Sequence, residues 1–253
     1  MPVADVSVER RGHVGLVGLH RPPENYFDLA LVAAVADALE SLDQDGETRA
    51  AVLWSEGKHF CAGASIGGGG DPTRDPRPLY AAGIRLFRTA LPVVAAVQGA
   101  AVGGGLGLAL AADFRVASPE TRFDCNFARL GYHHGFGVTV TLPAVVGRQR
   151  ALELLLAGGR VRGEEARAWG LCDRVVPRGE LLDAAVAFAH ELGSQGPLAV
   201  RAIRATMRRG IADDVWAAMV VESEAQAALA ATADFEEGVR AMAERRAPVW
   251  TGR

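Results

Sequence analysis

Lysine is almost missing from this chain. Lys58 is the only one, and arginine supplies the rest of the 27 basic residues that stand against 30 acidic ones. The net charge of -3 leaves no strongly basic character to attract nucleic acid or an anionic membrane. Cysteine is scarce as well. Cys61, Cys125 and Cys172 are scattered, odd in number and without metal-site spacing, which argues against a secreted disulfide framework and for a reducing, cytoplasmic setting. No uncharged apolar run reaches membrane-spanning length, and the longest, around 91–110, is broken by glycines. The first dozen residues carry Asp5, Glu9, Arg10 and Arg11 and have no apolar core, so they do not read as a secretion signal.

Glycine, by contrast, is plentiful at 30 of 253 residues, and two places concentrate its meaning. Phe60-Cys61-Ala62-Gly63-Ala64 follows the strand-like run Ala50-Ala51-Val52-Leu53-Trp54. Gly103-Gly104-Gly105-Leu106-Gly107 follows Val93-Val94-Ala95-Ala96-Val97. Both put small residues where a backbone N–H can be left free. Two such groups aimed at one point form an oxyanion hole for charge developing on a carbonyl oxygen. A helix opening directly after Gly104 adds its positive dipole end.

The surrounding pattern alternates strands and helices. Residues 13–19 read as a strand stopped by Pro22-Pro23, and 29–42 as a helix with Asp28 at its N-cap. A helix over 79–89, one from Leu106 and a strand over 114–117 continue the alternation, so the expected class is α/β with parallel pairing. Residues 67–78 read as a surface loop, 142–156 as a single helix and 163–169 as a short one. Past Pro177 the pattern is all helical: 180–192, 198–209, 213–230 and 235–246. The expected division is a core over 1–193 and a helical C-terminal region over 194–253.

Two other motifs compete for the same glycines. A dinucleotide fingerprint needs a third glycine at fixed spacing in the first strand–helix unit. Gly103 to Gly107 lies mid-chain without it. Gly63-Ala64-Ser65-Ile66-Gly67 matches a serine nucleophile elbow, but that elbow runs straight into a helix, whereas Gly68-Gly69-Gly70-Asp71-Pro72 follows here.

With both glycine segments, Arg21-Pro22, the Leu130-Gly131 turn, residues 166–176 and residues 237–246, the chain resembles the crotonase (enoyl-CoA hydratase/isomerase) superfamily over nearly its whole length. The resemblance implies a spiral of repeated β-β-α turns with a C-terminal helical region that builds trimers, often paired into hexamers. It implies an acyl-CoA substrate, coenzyme A being part of the substrate with no separate cofactor. By position, the oxyanion donors are the N–H groups of Ala64 and Gly104. The backbone of Ala62, Ser65 and Ile66 lies along CoA, and Met242 and Arg245 touch CoA from a neighbouring subunit.

Hydratases of this family use two glutamates, and their positions here hold Gly107 and Phe127, neither of which transfers a proton. The resemblance therefore implies an enoyl-CoA hydratase/isomerase-like lyase or isomerase that stabilises a thioester enolate, with decarboxylation, C–C hydrolysis, or CoA binding without turnover as the alternatives. Tyr132, His133 and His134 follow the turn where relatives place other catalytic side chains. His134 sits near a decarboxylase tyrosine position, and Gly135 where a dehalogenase carries its nucleophilic aspartate. Histidine titrates near neutrality, which makes His134, then His133, the candidate acid or base.

Overall fold

The computed structural model describes residues 5–64 and 75–253. Its main sheet runs β1-β2-β3-β4-β6-β9, from strands Val6–Arg11 (β1), Val14–Leu19 (β2), Ala50–Ser55 (β3), Val93–Val97 (β4), Phe114–Ala117 (β6) and Arg174–Val175 (β9). Only β1 pairs antiparallel; the other neighbours are parallel. A second sheet joins Ala100–Val102 (β5), Arg122–Asp124 (β7) and Arg160–Arg162 (β8).

The inner strands are apolar apart from Ser55 of β3 and Arg115 of β6, because both faces are covered. Alternate residues of β3 and β4 divide between two cores. Val52, Val94 and Ala96 pack with Val116 against Leu181, Ala185 and Ala189 of helix α7 (Leu181–Gly193). Ala51, Leu53, Val93 and Ala95 face the larger core on the other side, with Leu31, Val35 and Leu39 of α1 (Leu29–Gln44). Asp28 caps α1 as its type predicts, accepting from Leu31 N–H at 2.9 Å.

The remaining helices are α2 (Arg77–Leu86), α3 (Gly104–Ala111), α4 (Val138–Val146), α5 (Arg148–Ala157), α6 (Gly163–Ala168), α8 (Pro197–Met207), α9 (Ile211–Ala230) and α10 (Ala233–Glu244). The single helix expected over 142–156 is in fact two, α4 and α5. Gly147 between them has φ +79, outside the helical region, and Pro143 removes a donor from the turn before it. The C-terminal helices are fastened to the core: Arg204 of α8 and Arg208 at its C-cap reach back to Asp113 at 2.8 and 2.7 Å. No helix among the described residues is long and apolar enough to cross a membrane.

Candidate active site

The two glycine segments meet because the chain laces them together. Cys61 N–H donates to the Ala100 carbonyl at 3.1 Å, and Val102 N–H returns to the Cys61 carbonyl at 3.0 Å. Ala62 N–H donates to the Glu24 carbonyl at 2.9 Å, and Phe27 N–H to the Gly63 carbonyl at 3.0 Å. Gly105 must be glycine because a methyl there would overlap the Cys61 carbonyl. Gly63, at φ +95, passes so close that a Cβ would lie 2.9 Å from the Val102 carbonyl oxygen and 3.8 Å from the Gly104 nitrogen.

Ala64 and Gly104 both line one cleft of about 1190 Å³. Neither N–H donates to a carbonyl among the described residues. For Gly104 this follows from its place as the first residue of α3, where no carbonyl lies one turn earlier in the helix. Two free donors at adjoining points of a largely apolar cleft are what an oxyanion needs. Phe27, Phe127, Leu130 and Phe136 supply apolar wall beside them.

Phe136 occupies the space beside Gly107. A Cβ on Gly107 would lie 2.8 Å from Phe136 Cβ, and the Phe136 side chain is fully buried between Phe27 and Tyr80. Its backbone takes φ +62, an unusual conformation for a bulky residue, held by the surrounding packing. Phe127 lies 3.6 Å from a Cβ built on Gly103. Aromatic carbon thus lies beside Gly107 and at Phe127, the two positions for which the family resemblance implies glutamates.

The histidines stand apart from this. Neither His133 nor His134 is among the cleft-lining residues, contrary to their expected place as acid or base. The reason is local. His134 Nε2–H donates to Thr139 Oγ1 at 2.8 Å, because the Thr139 hydroxyl itself donates to the Glu222 carboxylate at 2.6 Å. Glu222 also accepts the N–H groups of Gly137 and Thr139 at the start of α4. His134 meets the cleft only through the edge of Phe127, ring centres 6.1 Å apart. Burial, then the adjacent His133, pushes His134 down to about 4.

That shift has a sign. Between about pH 6.5 and 4 the unfolded chain takes up a proton that the native ring refuses, so stability falls as pH falls through this window. Ring titration by NMR should place His134 near 4. The urea midpoint should drop more from pH 7 to pH 5 in the native protein than in His134→Gln. A ring titrating near 6.5 contradicts the half-buried placement beside His133.

Other candidates fall as follows. Ala62 lines the cleft, while Ser65 and Ile66 lie outside the described residues. Met242 is half-exposed, and Arg245 ends α10 at φ +55; neither lines this chain's own cleft. Tyr132 does line it, stacked on Phe235 at 4.7 Å, its phenol pushed up to about 12 by burial. Asn126 reaches the cleft, but Asp124 turns to Arg129 and Arg160. Cys61 is fully buried, its thiol pushed up to about 12, which suits packing and not nucleophilic attack. Among the described residues no cluster of three or more His, Cys, Asp or Glu is placed to hold a metal. Among the cleft residues that the sequence reading does not single out are Tyr80 and Gln226, neither of which has a motif around it.

An α/β core that brings residues 60–64 and 103–107 together on one cleft, followed by C-terminal helices, is the crotonase fold. A model of enoyl-CoA hydratase/isomerase matches residues 9–253. The chain is 35% identical to a putative enoyl-CoA hydratase of Thermus thermophilus, over 96% of this chain and 99% of that protein. It is 34% identical to a carnitinyl-CoA dehydratase of Salmonella typhi, over 98% of each. It superposes on the crystal structure of an enoyl-CoA hydratase/isomerase from Pseudoalteromonas atlantica with a TM-score of 0.88 and 30% identity, covering 98% of this chain and 100% of that one. The chain belongs to the enoyl-CoA hydratase/isomerase family.

Proposed function

We propose that the protein binds an acyl-CoA with its thioester oxygen between Ala64 N–H and Gly104 N–H, and stabilises the enolate formed at the α-carbon. The observation that carries this reading is that Ala64 and Gly104 line one cleft and neither N–H has a carbonyl partner among the described residues. An enolate oxygen bears more charge than the thioester oxygen it derives from, so fixed donors favour the former and lower the barrier to reaching it. CoA would run along the backbone of Ala62, Ser65 and Ile66, with Met242 and Arg245 meeting it from a neighbouring subunit. Exposed Leu198, Ile203 and Met207 on α8 support such an assembly.

Plain hydration fits poorly. It needs a base for water and an acid for the α-carbon, and Gly107 with Phe136 beside it, and Phe127, offer neither. We assign no proton-transfer role to His133 or His134. The reaction is then another one that passes through the enolate, such as decarboxylation or C–C hydrolysis. The same aromatic filling also favours a second reading, CoA binding without turnover.

Isotope-edited infrared spectroscopy tests the shared core of both. The stretch of a ¹³C-labelled butanoyl-CoA thioester carbonyl should move to lower frequency on binding, because two donors polarise it. An unshifted band in a saturated complex rejects the oxyanion-hole assignment. Turnover across a thioester panel that includes malonyl-type and β-diketone substrates then separates catalysis from binding alone.

A further inference from the structure

Away from the cleft, at the open edge of the main sheet, three polar side chains form a relay of their own. The Ser7 hydroxyl lies 2.7 Å from His20 Nε2, and His20 Nδ1 lies 2.9 Å from the Glu56 carboxylate. A carboxylate only accepts, so it holds the hydrogen on Nδ1 and leaves Nε2 to accept from the Ser7 O–H. Nucleophile, base and orienting group thus stand in the order of a serine-hydrolase triad.

The backbone keeps each member in register. Ser7 of β1 pairs with Gly18 of β2, and Glu56 N–H donates to the Leu19 carbonyl at 2.9 Å, beside His20. A Cβ on Gly18 would lie 2.8 Å from Ser7 Oγ, so glycine there leaves the hydroxyl its place. The Trp54 ring meets the His20 ring edge-on at 5.5 Å and gives the relay an apolar flank. The His20 side chain is 13% exposed, while Ser7 is half-buried and Glu56 is open to solvent. His20 N–H donates to the Asp5 carbonyl at 2.9 Å, which makes Asp5 with His20, and Ser7 with Gly18, the hydrogen-bonded pairs of the ladder. Val8 falls between such pairs and turns its N–H to the free edge, β1 being the outermost strand of the described sheet. The residue after the nucleophile is where α/β-hydrolases find an oxyanion donor.

We propose that Ser7, His20 and Glu56 form a second catalytic site, which cleaves small esters that reach the sheet edge from solvent. Ser7 Oγ attacks the ester carbonyl carbon as its proton passes to His20 Nε2, with Val8 N–H facing the oxyanion. The C–O bond to the alcohol then breaks, and His20 gives the proton to the departing oxygen. Water, losing a proton to His20, releases the acid from Ser7, and that proton returns to Ser7 Oγ. Glu56 is a positioning residue that fixes the ring tautomer. None of the three lines the cleft, so this site stands or falls apart from the thioester reading. A chain of bonds that only tied β1 to its neighbours would not make the serine reactive.

An alkyl fluorophosphonate, which loses fluoride to an activated serine, is the probe, with labelled peptides read by mass spectrometry. Ser7 should take the label in the native protein, and Ser7→Ala should cut p-nitrophenyl acetate turnover about 100-fold or more. His20→Gln should slow labelling of Ser7 by a similar factor. Glu56→Gln should slow it too, and should shift the His20 ring from the Nδ1–H toward the Nε2–H tautomer, read from its ¹⁵N resonances. Thermal melts confirm that each variant is folded. A native Ser7 that takes no label, turnover retained in Ser7→Ala, labelling unchanged in His20→Gln, or a native ring in the Nε2–H tautomer overturns the second site.

Discussion

Replacing Gly104 by proline is expected to cut thioester turnover about 100- to 1000-fold below that of Gly104→Ala, the measured worth of one oxyanion donor being roughly 3–4 kcal/mol. The comparison matters because both substitutions add a Cβ that overlaps the Phe27 ring. Only proline also deletes the N–H. Proline is tolerated at the first position of a helix, which is where Gly104 sits, so α3 should survive the change. Steady-state rates on any accepted thioester, with thermal melts to confirm folding, give the ratio. Equal losses in the two variants would show that crowding against Phe27, and not the donor, sets the rate. The same variants should differ in the infrared shift of the bound carbonyl.

The second large effect concerns stability. Asp113→Ala should destabilise the fold by about 3–5 kcal/mol, read as a drop in the urea midpoint at unchanged slope. Asp113 holds Arg204 and Arg208, whose side chains are only 10% and 15% exposed, and it also accepts the N–H of Val93. Removing it strands two largely buried cations. The burial already lowers Arg208 against the attraction of Asp113. If the loss stays below about 1 kcal/mol, the two arginines find other partners and the pair of ion bridges is dispensable. Adding Arg208→Leu to the variant should recover part of the loss, since the stranded charge goes with it.

Much of this architecture is written locally. Asp28 is a capping residue followed by apolar positions at helical spacing, and the helix starts where those rules place it. The runs at β3 and β4 are short, apolar and bounded by turns, so their class follows from composition. The strands β5, β7 and β8 are three residues each, too short to carry a period, and exist because they pair with one another. Position 147 shows a different limit: helical spacing continues across it, and only the left-handed backbone of one glycine divides α4 from α5. At the site, the two segments that meet are readable because small residues at strand ends are a local signal. The side chains are not. His134 attracts notice by type, yet its orientation depends on Glu222, 88 residues later in the chain, acting through Thr139. Tyr80 and Gln226 meet across 146 residues, a contact no window of sequence contains.

The ring wedged beside Gly107 also bears on how this protein stands to its relatives. A carboxylate placed at 107 alone collides with Phe136, and trimming Phe136 alone leaves a hole among Phe27, Tyr80 and Gly83. Either single exchange is disfavoured by packing, so a carboxylate at 107 calls for a smaller side chain at 136 in the same step.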